Sequence, residues 1–293
     1  MYKLAKAYPP EVLRKKFVNG MLKQSHAGGI EAHYDISNDF YALFLDTKYR
    51  FYTCAEHTND DEILEDAQTN KAKYLYNLLD LHGNEKILDL GCGWGSMLKF
   101  LLDSGHKGPL YGYTLSKEQL AYARDNLNLN VSLCNFITEP LSESPYDRIL
   151  SIGSFEHIRP NELFDVYKKT YDALVPGGIA VHQFFSLNHE QYPPATVVGQ
   201  LFFPGSTLSL HSKHIDAAEK AGFIVKHDSI HDYKPTLKAW YDRLAANEIK
   251  AIELVGLEIY NRYMIFFPLA WRMFYNKVAS LHRIALQKPT VES

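Results

Sequence analysis

Between residues 85 and 186, short apolar runs alternate with amphipathic stretches. KILDL (86–90) is an apolar run that stops at glycines, as a strand buried on both faces does. A helix-like stretch at 94–104 follows. Then come LYGYT (110–114), helix-like SKEQLAYARDNL (116–127), NVSLC (130–134), DRILSIG (147–153), the helix NELFDVYKKTYDAL (161–174) and the strand GIAVHQFFS (178–186). Such alternation predicts an α/β fold with a doubly wound, mostly parallel sheet and helices on both faces. Pro176-Gly177-Gly178 reads as a tight turn between the last helix and its strand.

On either side the pattern changes. Upstream, apolar Val12, Leu13, Phe17, Met21 and Leu22 predict an amphipathic helix over 10–24, with Arg14, Lys15, Lys16 and Lys23 on a solvated face. That face allows at most a peripheral membrane contact. Downstream, residues 187–222 are loop-rich, FIVKHDSIHDY (223–233) is strand-like and 235–276 is helix-like. HRIALQK (282–288) reads as an edge strand. The expectation is one domain: an N-terminal helical cover (1–75), a ligand-binding core (85–186), a substrate cap inserted at 187–276, and a C-terminal edge strand and tail (277–293). Within the cap, a long stretch of little regular structure bearing Phe202, Phe203, Trp240 and Tyr241 predicts that 187–245 form a lid over an apolar tunnel.

Composition narrows the function classes. A hydrophobic share of 46% over 293 residues supports a substantial core. A net charge of −3 without a basic run argues against nucleic-acid binding. The cysteines Cys54, Cys92 and Cys134 are odd in number and form no CxxC pair, so neither a disulfide framework nor a zinc site is expected. No signal peptide is legible, and MIFFPLAW falls short of the roughly 20 apolar residues of a membrane span. The expected location is the cytoplasm.

The first candidate chemistry lies where KILDL runs into Gly91-Cys92-Gly93-Trp94-Gly95 and a helix begins. Glycines there let the backbone approach a ligand and take positive φ, and open α/β sheets bind ligands at the carboxyl ends of their strands. The dinucleotide GxGxxG and the Walker A lysine are absent. Asp89, two residues before the glycines, suits a ligand with a cationic methionine moiety.

With these features in place, the chain resembles the cyclopropane-fatty-acid synthase family, which includes the mycolic acid cyclopropane synthases. The resemblance rests on an ordered series: HYDISNDFYALFLD (33–46), FYTCAE (51–56), LDLGCGWGS (88–96), GYTLSKEQ (112–119), DRILSIGSFEHI (147–158), FFPGS (202–206), DYKPTLKAWYDRL (232–244) and YNRYMIFF (260–267). It implies a seven-stranded Rossmann-like fold and an S-adenosylmethionine (SAM)-dependent C-methyltransferase. The expected reaction adds a methyl or methylene carbon to an alkene, most often in an unsaturated, possibly carrier-bound acyl chain. By resemblance, Tyr34, Tyr52 and Thr53 cover the methionine end of SAM, and Gly91 and Gly93 form the backbone cradle. Thr114 and Gln119 hold the ribose region, and Phe136 packs on adenine.

The resemblance also implies a bicarbonate site at Cys54, Glu156, His182 and Tyr233. An alkene that attacks a methyl cation donor becomes a carbocation, and a base must then remove a proton in an apolar pocket. His182 and Tyr233 offer donors to such an anion, a backbone amide near Cys54 offers another, and Glu156 accepts its hydroxyl. Two departures shape the expectation. Only about thirty residues precede the match, too few for the extra N-terminal domain of bacterial phospholipid cyclopropane synthases, which turns the expectation away from a bilayer lipid. Plant N-methyltransferases of the coclaurine type place an acid three residues before the FEH glutamate, and Gly153 stands there. The competing expectation is an N- or C-methyltransferase of a small alkaloid or isoprenoid.

Overall fold

In the computed structural model, residues 37–142, 145–189 and 208–290 are described. The helix predicted at 10–24, Tyr34, Phe202 and Phe203 lie outside the described residues. Strand β1 (Ile87–Leu90) is buried along its length. It pairs in parallel with β2 (Leu110–Thr114) on one side and β4 (Tyr146–Ile152) on the other. β3 (Val131–Leu133) extends the parallel set beyond β2, and β5 (Leu174–Leu187) extends it beyond β4. With β6 (Ile224–His231) and β7 (Ala279–Gln287), the seven-stranded order is β3-β2-β1-β4-β5-β7-β6. The order reverses between β1 and β4, which opens a crevice at their carboxyl ends.

Helices cover both faces. On one face Met97, Leu98, Phe100 and Leu101 of α3 (Ser96–Asp103) pack with Ala72 and Leu75 of α2 (Leu64–Leu78) against Ile87, Leu150, Val181 and Ala285. Ala123 of α4 (Lys117–Asp125) joins them. On the other face Leu163, Val166 and Tyr167 of α5 (Leu163–Ala173) and Ala217, Ala218 and Ala221 of α6 (His211–Ala221) pack on Leu88, Ile149, Ala180, Phe184 and Ile284. A third, aromatic cluster joins α1 (Asn38–Ala42), α7 (Lys234–Ala246) and α8 (Glu248–Tyr275) through Phe40, Tyr41, Phe44, Trp240, Tyr263 and Phe267. Its rings meet edge to face, as Phe40 and Tyr263 do at 5.0 Å. α8 breaks at Gly256, whose φ of 80° is not helical.

Three expectations need correction. The last strand is not an edge: β7 lies antiparallel between β5 and β6, and β6 is the edge. Leu281, Ile284, Ala285 and Leu286 are buried on both faces of β7, whereas β6 alternates between exposed and partly buried positions. The region 187–276 is not all cap, because α6 and β6 complete the sheet layer, whereas α7 and α8 pack with α1 in the aromatic cluster. For the same reason 187–245 is not one lid, and Trp240 is a buried member of the aromatic cluster. Pro176-Gly177-Gly178 does turn, but inside β5. There Tyr146 pairs with Leu174 and Arg148 with Ile179, so the residues between bulge out, with Gly177 at φ 79°.

No described helix is long and apolar enough to cross a membrane.

Candidate functional site

β1 delivers the chain into a loop where Gly91, Gly93 and Gly95 have φ of 82°, 57° and 82°. The Cys92 amide donates to the Tyr113 carbonyl at 2.7 Å and anchors the loop to β2. The glycines differ in what they permit. A Cβ on Gly91 would collide with the Ser154 hydroxyl, whereas one on Gly93 would have open space, with only the Gln119 amide at 3.9 Å. Gly91 therefore carries the steric requirement, and Gly93 leaves the loop open toward the cleft.

That cleft, about 940 Å³ including its mouth, is lined by Asp89, Gly91, Gly93, Tyr52, Thr53, Thr114, Gln119 and Phe136 together. Eight of the nine residues expected at the cofactor thus meet; the ninth, Tyr34, is outside the described set. Asp89 is buried, and its Oδ1 has no hydrogen-bond partner. Burial pushes its carboxyl up to about 8, against the attraction of Lys71. A buried carboxyl with an unsatisfied oxygen facing a cleft is suited to a cationic donor from a ligand. Thr114 Oγ1 donates to Gln119 Oε1 at 2.8 Å, which turns the Gln119 amide nitrogen outward as a donor. Phe136 stacks on Phe155, ring centroids 6.0 Å apart. These features fit SAM: an acid for the methionine end, a glycine backbone, an amide at the ribose position and a ring for the base.

The cleft's opposite wall is the segment 51–55, and several elements converge to hold it. Asp46 accepts from the amides of Tyr49 and Phe51, both at 2.7 Å, fixing the turn into Tyr52. Gln68 Nε2 donates to the Thr53 carbonyl at 2.8 Å and Lys71 Nζ to the Thr53 hydroxyl at 2.9 Å. The Ala55 amide donates to Thr236 Oγ1 at 3.0 Å. Trp94 donates to Asn38 at 2.6 Å and ties the glycine loop to α1.

Of the four residues expected to bind bicarbonate, Cys54, Glu156 and Tyr233 lie around the 51–55 segment. Glu156 sits in a one-turn helix, Phe155–His157, just past β4. It is fully enclosed, its Oε2 has no partner, and burial pushes its carboxyl up to about 8. Gly153, at φ 78°, separates it from the 51–55 segment: a Cβ there would lie 2.6 Å from Thr53 Cγ2 and 3.8 Å from Glu156 Oε1. Tyr233 caps α7 and packs against Trp240 and Phe274. Its neighbour Asp232 accepts the Cys54 thiol at 3.5 Å, so Cys54 and Tyr233 share one corner. Burial raises the Cys54 thiol to about 12, which rules it out as a thiolate nucleophile and leaves its backbone as the useful part.

His182 is placed differently. Its ring stacks on Phe155 at 3.9 Å, on the sheet face covered by α5. Neither ring nitrogen has a partner, and burial lowers its pKa to about 3. The side chain that reaches Cys54 from β5 is the next one, Gln183, whose Nε2 donates to the Cys54 carbonyl at 3.3 Å. Successive side chains of a strand face opposite sides of the sheet, so the structure does not set the His182 ring beside Cys54.

Sequence reasoning missed Gln68, Lys71, Gln183 and Arg283. Arg283 is fully buried; its Nε donates to Gln183 Oε1 at 2.8 Å, and its Nη1 is paired with Glu56. A signal for two of them was available. Gln68 and Lys71 continue the stripe of Leu64, Ala67 and Leu75, so the helical spacing places them on the buried face.

Comparison with known proteins agrees with this geometry. The family model described as mycolic acid cyclopropane synthetase matches residues 22–284. Hydroxymycolate synthase MmaA4 of Mycobacterium tuberculosis is 32% identical over 89% of this chain and 92% of its own length. Cyclopropane mycolic acid synthase 3 of the same species is 31% identical over 90% and 98%. The crystal structure of mycolic acid cyclopropane synthase CmaA1 complexed with SAH and CTAB superposes with a TM-score of 0.82 at 28% identity, covering 90% of this chain and 99% of that one. With the family model matched over 22–284, relatives above 30% identical along most of the chain and a superposing crystal structure, this chain belongs to the mycolic acid cyclopropane synthetase family of SAM-dependent methyltransferases.

Proposed function

We propose that this protein adds a one-carbon unit from SAM to a carbon–carbon double bond of an unsaturated acyl chain, in the cytoplasm, with bicarbonate as the base. SAM, when bound, supplies an electrophilic methyl group. Asp89, the Gly91–Gly93 backbone, Gln119 and Phe136 hold it, and Tyr52 and Thr53 close over its methionine end. An alkene carbon that takes the methyl leaves a positive charge on its neighbour. Loss of one proton from the transferred methyl lets that carbon close a cyclopropane; loss from the chain leaves a methyl-branched alkene. Bicarbonate, when bound, supplies the acceptor for that proton.

The observation that carries this reading is Glu156. Its carboxyl is fully enclosed, has an oxygen without a partner and adjoins the segment bearing Cys54. Such a group calls for a ligand with a hydrogen-bond donor, and the hydroxyl of bicarbonate is one. The Cys54 backbone and Tyr233 would supply the anion's remaining bonds; the nitrogens of His182, on the other face of the sheet, are tested separately below.

The test joins a variant to a depletion. Glu156→Gln preserves shape but removes the ionisable carboxyl, and turnover is expected to fall by roughly 10²–10⁴-fold with SAM affinity unchanged. Wild-type turnover is expected to fall in degassed buffer and recover on adding bicarbonate. Turnover that ignores bicarbonate while Glu156→Gln is inactive would mean that the carboxylate acts on substrate directly, as in methylation of a small specialised metabolite.

A further inference from the structure

On the sheet face away from Cys54, three side chains from three elements meet at the outer strands. They are His211 at the start of α6, Asp228 on edge strand β6 and His282 on β7. His211 Nε2 donates to the Asp228 carboxylate, 3.0 Å from Oδ2 and 3.2 Å from Oδ1. His282 Nδ1 stands 3.8 Å from Asp228 Oδ1, too far for a hydrogen bond. The two imidazoles lie face to face, centroids 3.9 Å apart and 16° from parallel, so the partly exposed His211 ring has to turn before both in-plane lone pairs can reach one ion. His282 is only 4% exposed, and neither of its ring nitrogens has a partner. None of the three residues lines the SAM cleft.

A buried imidazole with both nitrogens unsatisfied needs an explanation. A shared hydrogen bond does not supply it, because Asp228 already engages His211. One donor atom from each residue lies within 4.8 Å of the other two. Ligands about 2.0–2.2 Å from a tetrahedral ion stand about 3.4 Å apart. From the single oxygen Asp228 Oδ1, the separations to the two histidines, 3.2 and 3.8 Å, bracket that figure.

We propose that His211, Asp228 and His282 form a binding site for one divalent transition-metal ion of the zinc class. Two imidazoles and one carboxylate suit zinc, cobalt or nickel, whereas calcium and magnesium require a shell of oxygens. The ion would take the place of the proton between His211 and Asp228. His211 and Asp228 are both partly exposed, which leaves the fourth position to water. The bound ion would pin the first turn of α6 and the edge strand to the interior strand, so its role is structural. Analysis of cysteine spacing is blind to such a site, because its ligands are histidine and aspartate from three separate elements.

The experiment uses the full chain, stripped with a chelator and desalted. It is titrated with Zn²⁺ in a calorimeter and with Co²⁺ by visible absorption. The expected result is one ion per chain, a Co²⁺ spectrum without a thiolate charge-transfer band, and a higher melting temperature with Zn²⁺. His282→Ala and Asp228→Asn are each expected to weaken binding by more than the ~10–100-fold that loss of an outer-shell partner costs, and to abolish the thermal shift. SAM affinity should stay unchanged. Asp228→Asn, at a partly exposed position, decides the matter if His282→Ala does not fold. The proposal is overturned if wild type binds neither ion more tightly than a lone surface histidine does, or if the folded variants bind with wild-type affinity.

Discussion

Gln183 and Cys54 meet at the carboxyl end of β5: the Gln183 amide donates to the Cys54 carbonyl at 3.3 Å while its oxygen accepts from Arg283 at 2.8 Å. Arg283 in turn is paired with Glu56 and lies 4.9 Å from the Tyr74 ring centroid. The 51–55 segment beside the cleft is thus held from beneath by a buried polar relay. Gln183→Leu has nearly the same volume but removes both bonds and leaves Arg283 Nε without its acceptor. Its cost is expected to be about 1–3 kcal/mol of stability, read from the shift in denaturant midpoint, together with weaker SAM binding in the variant that remains folded. A midpoint equal to wild type would show that the relay does not hold the wall.

His182 tests a different point. His182→Phe preserves the stack on Phe155 and removes only the two nitrogens. If those nitrogens bind the base, turnover should fall by about 10²-fold or more while melting temperature and SAM affinity are kept or improved, because two unsatisfied buried polar atoms are gone. Wild-type turnover in this variant would remove His182 from the base site and leave Cys54, Glu156 and Tyr233.

Gly153 bears on the competing reading, amine methylation. The coclaurine-type enzymes carry an acid at the matching position, yet here φ is 78° and a Cβ would press on Thr53 at 2.6 Å. Gly153→Asp is therefore expected to displace the 51–55 wall, lowering melting temperature and SAM affinity together, and to confer no methylation across a panel of amines. Gain of amine methylation in a stable variant would show that the position is one substitution from that chemistry.

Much of this was legible in the sequence, for physical reasons that can be named. Short apolar runs ending in glycine located β1 and its loop because a strand buried on both faces has no polar side. Some residues that line the cleft were legible because they lie at the ends of such runs: Asp89 near the end of β1, Gly91 just after it and Thr114 at the end of β2. Strand order was not legible. HRIALQK has the periodicity of an edge strand because it contains Arg283, and only the structure shows that guanidinium buried between Gln183 and Glu56. The side to which His182 points was equally hidden, since a strand's period of two does not say which face is which. Lys71 was overlooked because lysine is nearly always solvated; its ammonium instead lies over the Phe51 ring and bonds to Thr53.

The last prediction follows from Asp89. Its ordinary value is 3.8, and burial in the free protein holds it at about 8. Between those values the folded chain keeps a proton that the unfolded chain has lost. The proton's contribution to stability is therefore fully present below about pH 3.8 and is lost as pH rises through about 8. The cationic methionine end of SAM favours the carboxylate and pulls this pKa down. Below about pH 8, SAM binding should thus expel a proton, and affinity should rise with pH until that value and then level. Calorimetry at about pH 6.5 in two buffers of different ionisation enthalpy measures the count directly. Close to one proton released per SAM is expected for wild type, and none for Asp89→Asn, which should also bind more weakly. Glu156 has a similarly raised value, so Glu156→Gln is the control. Being on the substrate side, it should leave the proton count unchanged. A count that survives in Asp89→Asn and vanishes in Glu156→Gln would reverse the two assignments and place Glu156 at the methionine end.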